Sequence, residues 1–166
     1  EMTSSLVGSE MCIRDSFAVV TTPLQAKKPL KSTSLMSFKE IAVGDHSFQG
    51  KEKPIRLKDL IENPLISLGQ GSTTYEFYSK FFLENDLVLS PDTEVETIDQ
   101  VLPLIMNGLG IGFLPELFVR PVIEEGKVCQ ILLKENIPER EICLVENHTF
   151  PPSIAAEMFK KMLVLK

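Results

Sequence analysis

The sequence has few of the residues from which metal and redox sites are built. Its 166 residues include two histidines, three cysteines and no tryptophan. Cys12, Cys129 and Cys143 form no CxxC pair and have no histidine at ligand spacing, which predicts that the chain holds no metal. An odd cysteine count without a secretory signal favours a cytoplasmic protein. Cys129 and Cys143 are expected as buried small side chains, with a redox pair as the alternative.

Long hydrophobic runs and an excess of basic residues are also missing. No apolar run approaches the roughly 18–20 residues needed to span a bilayer. The formal net charge is −6, whereas a surface that binds nucleic acid shows as a basic patch. The composition, with 43% hydrophobic and 24% charged residues, is that of a globular protein. The chain itself is therefore expected to contact neither a membrane nor DNA.

Motifs of the common enzyme classes do not occur. There is no GxSxG, HExxH or P-loop lysine motif. His46 and His148 are solitary and lie in polar connectors, so no pairing of a nucleophile with a base is visible. The run GLGIG at residues 108–112 lies after a predicted helix and before a predicted strand, which is the reverse of a dinucleotide-binding loop. The sequence predicts no catalytic residue and no cofactor, and a tight helix-to-strand turn at this run.

The first sixteen residues, EMTSSLVGSEMCIRDS, differ from the rest of the chain. They have neither the basic start nor the apolar core of a signal peptide. Residues 5–16 resemble a translated sequencing-adapter read. Residues 1–16 are therefore expected to be a non-native leader and are excluded from the predicted fold.

Short apolar runs alternate with amphipathic segments along the remaining chain. Strands are predicted at residues 17–21, 38–43, 65–68, 111–114, 128–133 and 142–145. Helices are predicted to begin at Ser72, Thr97 and Ser153 and to cover residues 116–125, while the polar residues 27–34 are predicted as a connector. This alternation indicates an α/β fold with a largely parallel sheet.

Two of the predicted helices begin with residues that suit an N-cap. Ser72 precedes a helix whose aromatic stripe is expected in the core rather than as a platform for bases. Thr97 and Gln100 match a capping box. Helix starts of this kind present hydroxyl and backbone N–H groups that can bind anions, although a purely structural role as caps is the alternative.

One segment resembles a known family. Residues 97–115, TIDQVLPLIMNGLGIGFLP, resemble the signature of the C-terminal effector-binding domain of LysR-type transcriptional regulators. Further pieces occur in the expected order, from VVTTP at residues 19–23 to ICLV at residues 142–145. The resemblance covers nearly all of residues 17–166.

The resemblance implies a two-lobed domain of the periplasmic-binding-protein-like (type II) fold, with the first lobe incomplete. Residues 17–46 are then the remnant of the first lobe, 47–132 the second lobe and 133–166 the return to the first. Crossings between the lobes are expected near residues 45–48 and 133–136. A small-molecule effector is expected between the lobes, where its binding closes them and rearranges the oligomer.

In the whole family protein, self-association as a dimer or tetramer is implied, with promoter DNA bound only through an N-terminal winged helix-turn-helix outside this chain. The hydroxyl and N–H donors at the helix starts suit a carboxylate or another small anion as the effector. Its expected contacts are Thr21 and Thr22 from the first lobe and Ser72, Thr73 and Thr97 from the second. A stand-alone solute-binding protein of the same fold is the alternative function, and it would need an export signal. An enzyme is a second and weaker alternative.

Overall fold

A computed structural model describes residues 11–13, 17–24, 27–48, 50, 53–147, 149 and 152–164. Contacts divide the chain into two units: unit 1 takes the chain up to Ser37 and again from Arg140, and unit 2 is Phe38–Glu139. The described strands are β1 (Met11–Ile13), β2 (Phe17–Thr21), β3 (Leu30–Phe38), β4 (Glu40–Gly44), β5 (Leu65–Leu68), β6 (Thr93–Val95), β7 (Ile111–Pro115), β8 (Cys129–Ile131) and β9 (Arg140–Asn147). The described α-helices are α1 (Leu57–Leu60), α2 (Thr73–Leu83), α3 (Val101–Met106), α4 (Glu116–Glu124) and α5 (Ile154–Val164), with 3-10 turns at His46–Phe48 and Ile98–Gln100.

Unit 1 contains a four-stranded sheet in the order β1-β2-β9-β3. β2 and β9 pair antiparallel. Helix α5 packs on this sheet, and the rings of Phe17 and Phe159 stack with centroids 5.8 Å apart. The apolar run that begins at Phe17 is thereby a core strand, as the sequence predicted.

Two expectations for unit 1 are corrected. Residues 27–34 are not only a connector, because β3 begins at Leu30. Most side chains of β3 are exposed, so pairing of its backbone rather than burial stabilises it, and the hydropathy pattern gives no sign of it. Within the expected leader, Met11–Ile13 pairs with β2, whose edge offers free backbone groups to any neighbouring segment. The other residues of that leader lie outside the described part.

Unit 2 is built on a five-stranded sheet in the order β6-β5-β7-β4-β8. β5 pairs parallel with β6 and with β7, whereas β4 pairs antiparallel with β7 and with β8. The sheet of unit 2 is therefore mixed, and β2 of unit 1 also pairs antiparallel with both of its neighbours. The prediction of a largely parallel sheet is wrong. A local sequence pattern does not determine the direction of a strand. β4 enters the sheet directly after β3 of unit 1, with no crossover helix before it, and pairs antiparallel with its neighbours.

Helices cover both faces of this sheet. Helices α1 and α2 pack on one face, where the predicted aromatic stripe supplies the buried rings of Tyr78, Phe81 and Phe82. Helices α3 and α4 cover the other face, where Val101, Ile105 and Val119 lie in the core. The stripe is thus core, as predicted. Among the described residues, no helix has both the length and the apolar character needed to cross a membrane.

The turn at residues 108–112 is the predicted tight connection from helix to strand. Gly108 and Gly110 have φ values of 71° and 152°. A Cβ atom at Gly110 would lie 2.5 Å from the carbonyl oxygen of Pro64. Only glycine fits this backbone without a shift, so Gly110 has a structural reason to be glycine.

The division into units differs from the expected lobe boundaries. The chain leaves unit 1 between residues 37 and 38 and returns between residues 139 and 140, not near residues 45–48 and 133–136. All five residues of β4 are buried and pair with strands of unit 2. Residues 38–46, expected in the first lobe, therefore begin the second unit.

Candidate functional site

The candidate site in unit 2 lies where strands β5 and β6 end. These strands are parallel and in register, with Leu68 opposite Val95. The segments that follow them begin at the same edge of the sheet, and the backbone N–H of Gly69 donates to the carbonyl of Val95 over 3.0 Å. Parallel strands joined by helices commonly place ligand-binding groups at this edge. In unit 2, two helical segments begin at this edge.

Ser72 is the N-cap of α2. Its Oγ accepts a hydrogen bond of 3.0 Å from the backbone N–H of Tyr75. Ser72 and the following Thr73 are half-buried, so neither hydroxyl is enclosed by the core. The first-turn N–H groups of an α-helix lack intrahelical partners and lie at its positive end. The cap predicted from the sequence is confirmed.

Thr97 is the N-cap of the 3-10 turn that leads into α3. The predicted capping box with Gln100 is present. The Oε1 atom of Gln100 accepts hydrogen bonds from the backbone N–H groups of Thr97 and Glu96 over 3.2 and 3.1 Å. Thr97 is also half-buried. Of the predicted contacts, Ser72, Thr73 and Thr97 therefore all follow the same carboxyl edge of the unit 2 sheet.

Thr21 and Thr22 belong to unit 1, at the end of β2. Their partner is the buried Arg140, whose Nη2 donates to Thr21 Oγ1 and whose Nε donates to the Thr22 carbonyl, each over 2.8 Å. The hydroxyl of Thr22 accepts from the backbone N–H of Glu141 over 2.9 Å. These recorded bonds use the two hydroxyl oxygens as acceptors, so each hydroxyl can still donate its proton. Arg140 was not identified from the sequence, because it precedes the strand predicted at residues 142–145, whereas in the structure it begins β9.

Two buried polar residues of unit 2, Glu40 and Ser67, were not identified from the sequence. The Tyr78 hydroxyl donates to Glu40 Oε2 over 2.5 Å, deep under α2. Ser67, in β5, is 8% exposed, and its Oγ has no hydrogen-bond partner among the described residues. A single serine inside the apolar run LISL is typical of a strand, so the local sequence does not indicate that its hydroxyl is buried and unpaired.

A small pocket of about 180 Å³ lies elsewhere in unit 2, where Ile55, Asp59 and Ile131 are among its lining residues. Ligand pockets usually measure about 300–1,000 Å³. A hydrogen bond from the Arg56 side chain, with Nε 3.2 Å from the carboxylate, lowers the pKa of Asp59. Asp59 therefore stays ionised in an ion pair on the surface. We assign no ligand to this pocket.

Metal-binding clusters are not found in the described ranges, where no group of three or more histidine, cysteine and acidic side chains is placed to hold an ion. Cys129 and Cys143 are both free. They belong to different units, with Cys143 buried and Cys129 half-buried.

Comparison with known sequences identifies relatives that regulate transcription. A model of the LysR substrate binding domain family matches residues 16–164. The chain is 29% identical over 100 residues to YwqM, an uncharacterized HTH-type transcriptional regulator of Bacillus subtilis (strain 168), covering 60% of this chain and 33% of YwqM. It is 36% identical over 64 residues to the HTH-type transcriptional activator CmpR of Synechocystis sp. (strain ATCC 27184 / PCC 6803 / Kazusa), covering 39% of this chain and 21% of CmpR. The chain thus spans a third or less of these two regulators.

Solved structures share the fold. The effector binding domain of QuiR in complex with shikimate superposes with a TM-score of 0.72 at 18% identity, over 89% of this chain and 70% of that one. The regulatory domain of Synechocystis PCC6803 CcmR in complex with 2-PG gives a TM-score of 0.73 at 14% identity, over 89% and 72%. These are domains of the type II periplasmic-binding-protein-like fold, so the predicted fold class is confirmed. Because the family model covers nearly its whole length, the chain belongs to the LysR substrate-binding domain family.

Proposed function

We propose that this chain is the effector-binding domain of a LysR-type transcriptional regulator and that it binds a small organic anion. The observation that carries the proposal is that two capped helical segments, α2 and the 3-10 turn before α3, both begin beyond the carboxyl ends of the paired strands β5 and β6. Ser72, Thr73 and Thr97 are the proposed contacts in unit 2. Thr21 and Thr22 of unit 1 are proposed as further contacts.

The chemistry of these groups favours an anion. Hydroxyl and backbone N–H donors at a helix start bind a carboxylate or a phosphate without a basic side chain. The ligands of two structural neighbours are of this kind, since QuiR binds shikimate and CcmR binds 2-PG. Those ligands belong to those proteins, and the identity of this chain's effector is open to experiment.

In the whole regulator, effector binding would act through a conformational equilibrium. A ligand that binds one arrangement of the domain more tightly shifts the population towards it. We propose that the regulator is a dimer or tetramer in the cytoplasm, which contacts promoter DNA through a helix-turn-helix outside this chain. The alternative, a stand-alone solute-binding protein, is disfavoured because both curated relatives are named as transcriptional regulators.

The test uses Thr97→Val and Thr97→Ser in this chain. Thermal shift and calorimetry would measure binding of shikimate, quinate, malate, 2-phosphoglycolate, 3-phosphoglycerate and sulfate. Serine keeps the hydroxyl of the cap, whereas valine keeps the shape and removes the hydroxyl. We expect Thr97→Val to weaken binding about tenfold or more, since a hydrogen bond to a charged group contributes about 1.5–3 kcal/mol, and Thr97→Ser to bind as the parent does.

Cap loss by itself costs about 0.5–2 kcal/mol of stability, so affinities are compared at a temperature where both variants are fully folded. If Thr97→Val binds as well as Thr97→Ser, then Thr97 is only a cap and the proposed site is wrong. If none of the six compounds binds to the parent chain, the proposed function itself is overturned.

A further inference from the structure

The buried serine of β5 lies on the same face of the sheet as α2. Side chains alternate between the two faces of a strand. Ile66 and Leu68 pack into the core beneath α3 and α4, whereas Leu65 packs with the aromatic residues of α2. Ser67 therefore shares the α2 face with Leu65, one residue before the carboxyl end of the strand.

The hydroxyl of Ser67 needs a partner that the described residues do not supply. Its side chain is more than nine-tenths buried, and its Oγ makes no hydrogen bond. Helix α2, with 11 residues, begins at Thr73 after four connecting residues. A helix that follows a strand of a parallel pair runs back along the sheet, so its first turn is on the side of the strand's carboxyl end. An unpaired buried hydroxyl near this end of the strand is a group that a bound molecule can satisfy.

An exposed acidic residue is opposite Ser67 on the neighbouring strand. Glu94 of β6 is the register partner of Ser67 and, being next to the inward-packing Val95, lies on the α2 face as well. A Cβ atom at Gly69 would lie 3.4 Å from Glu94 Oε2, so this carboxylate is next to the segment that leads into α2. A carboxylate accepts hydrogen bonds from hydroxyl groups and repels a second negative charge.

We propose that this site selects a hydroxyl-bearing carboxylate over a phosphorylated dianion. The ligand's carboxylate binds the start of α2 at Ser72 and Thr73, and its hydroxyl groups bind Ser67 and Glu94. The inference rests on the proposed function and names the class of effector for the same site. A phosphoryl group, with its greater negative charge, is disfavoured by the charge of Glu94.

The experiment measures affinities through tyrosine fluorescence. The chain has no tryptophan, and its two tyrosines, Tyr75 and Tyr78, are both in α2, so the signal arises from this helix. Shikimate and quinate represent hydroxylated monocarboxylates, while 2-phosphoglycolate, which carries no free hydroxyl group on carbon, represents phosphorylated acids. We expect the parent chain to bind the better hydroxylated compound at least about tenfold more tightly than 2-phosphoglycolate.

Three variants separate the contributions. Ser67→Ala is expected to weaken binding of the hydroxylated compound about tenfold and to leave binding of 2-phosphoglycolate unchanged. Glu94→Gln is expected to weaken binding of the hydroxylated compound and to strengthen that of 2-phosphoglycolate, so that the preference falls below about threefold. Glu124→Gln, an exposed acid in α4, is the control that removes the same charge and should change neither affinity.

Tighter binding of 2-phosphoglycolate by the parent overturns the inference. So does a preference that Ser67→Ala and Glu94→Gln both leave unchanged. In either case the proposed function stands, provided that Thr97→Val still weakens the bound compound. If no compound binds at all, both the inference and the proposed function fail.

Discussion

At the scale of single residues, side chains with the same chemistry have opposite effects on stability in unit 2. The Oγ atom of Ser72 accepts a hydrogen bond from a backbone N–H of α2, whereas the buried Oγ atom of Ser67 has no hydrogen-bond partner among the described residues. The first arrangement stabilises a helix, and the second costs free energy in the unliganded protein. A residue that destabilises the empty protein and satisfies a ligand is typical of a binding site.

Substituting each serine by alanine should therefore change stability in opposite directions. We expect Ser67→Ala to raise the free energy of unfolding by about 1–3 kcal/mol, since it removes an unsatisfied buried group. Ser72→Ala should lower it by about 0.5–2 kcal/mol through loss of the cap. Urea denaturation followed by circular dichroism would measure both. A destabilised Ser67→Ala variant would mean that this hydroxyl already has a partner in the unliganded protein.

The buried pair of Tyr78 and Glu40 allows a second matched comparison. Tyr78→Phe removes the donor of a 2.5 Å hydrogen bond to a carboxyl group that is 4% exposed. We expect a loss of about 1–3 kcal/mol in the free energy of unfolding. Tyr75→Phe is the control, because Tyr75 is half-buried and no bond to its hydroxyl is recorded. Equal stabilities of the two variants in thermal melts would contradict the assignment of a stabilising role to this bond.

At the scale of elements, turns and caps determine how unit 2 is connected. The tight turn after α3 brings the backbone of Gly110 against Pro64, which precedes β5. That contact aligns β7 beside β5 and so helps to position the parallel strands whose ends form the candidate site. The glycines of the segment that carries the family signature therefore have a structural role, whereas the cap at Thr97 is the part proposed to bind the effector.

Alanine at Gly110 should be more destabilising than alanine at another glycine of positive φ. Gly126 has φ 70° with no atom within 4 Å of an added Cβ, so Gly126→Ala should cost only the backbone penalty of about 1–2 kcal/mol. Gly110→Ala adds a clash with a carbonyl oxygen at 2.5 Å. We expect the midpoint of thermal unfolding to fall further for Gly110→Ala. Similar midpoints would show that the Pro64 carbonyl moves away at little cost.

Structural features that depend on a short stretch of sequence could be predicted. The caps at Ser72 and Thr97, the aromatic core of α2 and the turn at residues 108–112 depend on neighbours within a few residues, and each was confirmed. β3 could not be found, since its exposed polar residues are held by pairing with a distant strand. The direction of β4 and the buried positions of Ser67, Glu40 and Arg140 also depend on which strands meet, and no local pattern encodes that.

At the scale of the whole molecule, the net charge of this chain argues against direct binding to DNA. The chain carries a net charge of −6. Affinity for DNA comes mainly from basic side chains that neutralise phosphates, and sequence is read by an element placed in a groove. Effector sensing and DNA contact are therefore expected to reside in different parts of the regulator.

We expect this chain by itself to show no sequence-specific binding to DNA. Fluorescence anisotropy with a set of bacterial promoter duplexes at low salt would test this, and a regulator that retains a helix-turn-helix would be the positive control. Nanomolar, salt-sensitive binding of the chain to one duplex would contradict the proposed division of labour.

Unit 2 is one uninterrupted stretch of polypeptide, Phe38–Glu139, whose first and last turns of chain come close together. Near its two ends, Lys39 Nζ lies 3.9 Å from Glu139 Oε1. A segment whose two ends are adjacent can be inserted into a surface loop of a host protein without distorting the host's fold. If the proposed effector binds at the start of α2, insertion of unit 2 into a fluorescent or enzymatic host would give a genetically encoded sensor whose host signal reports that binding.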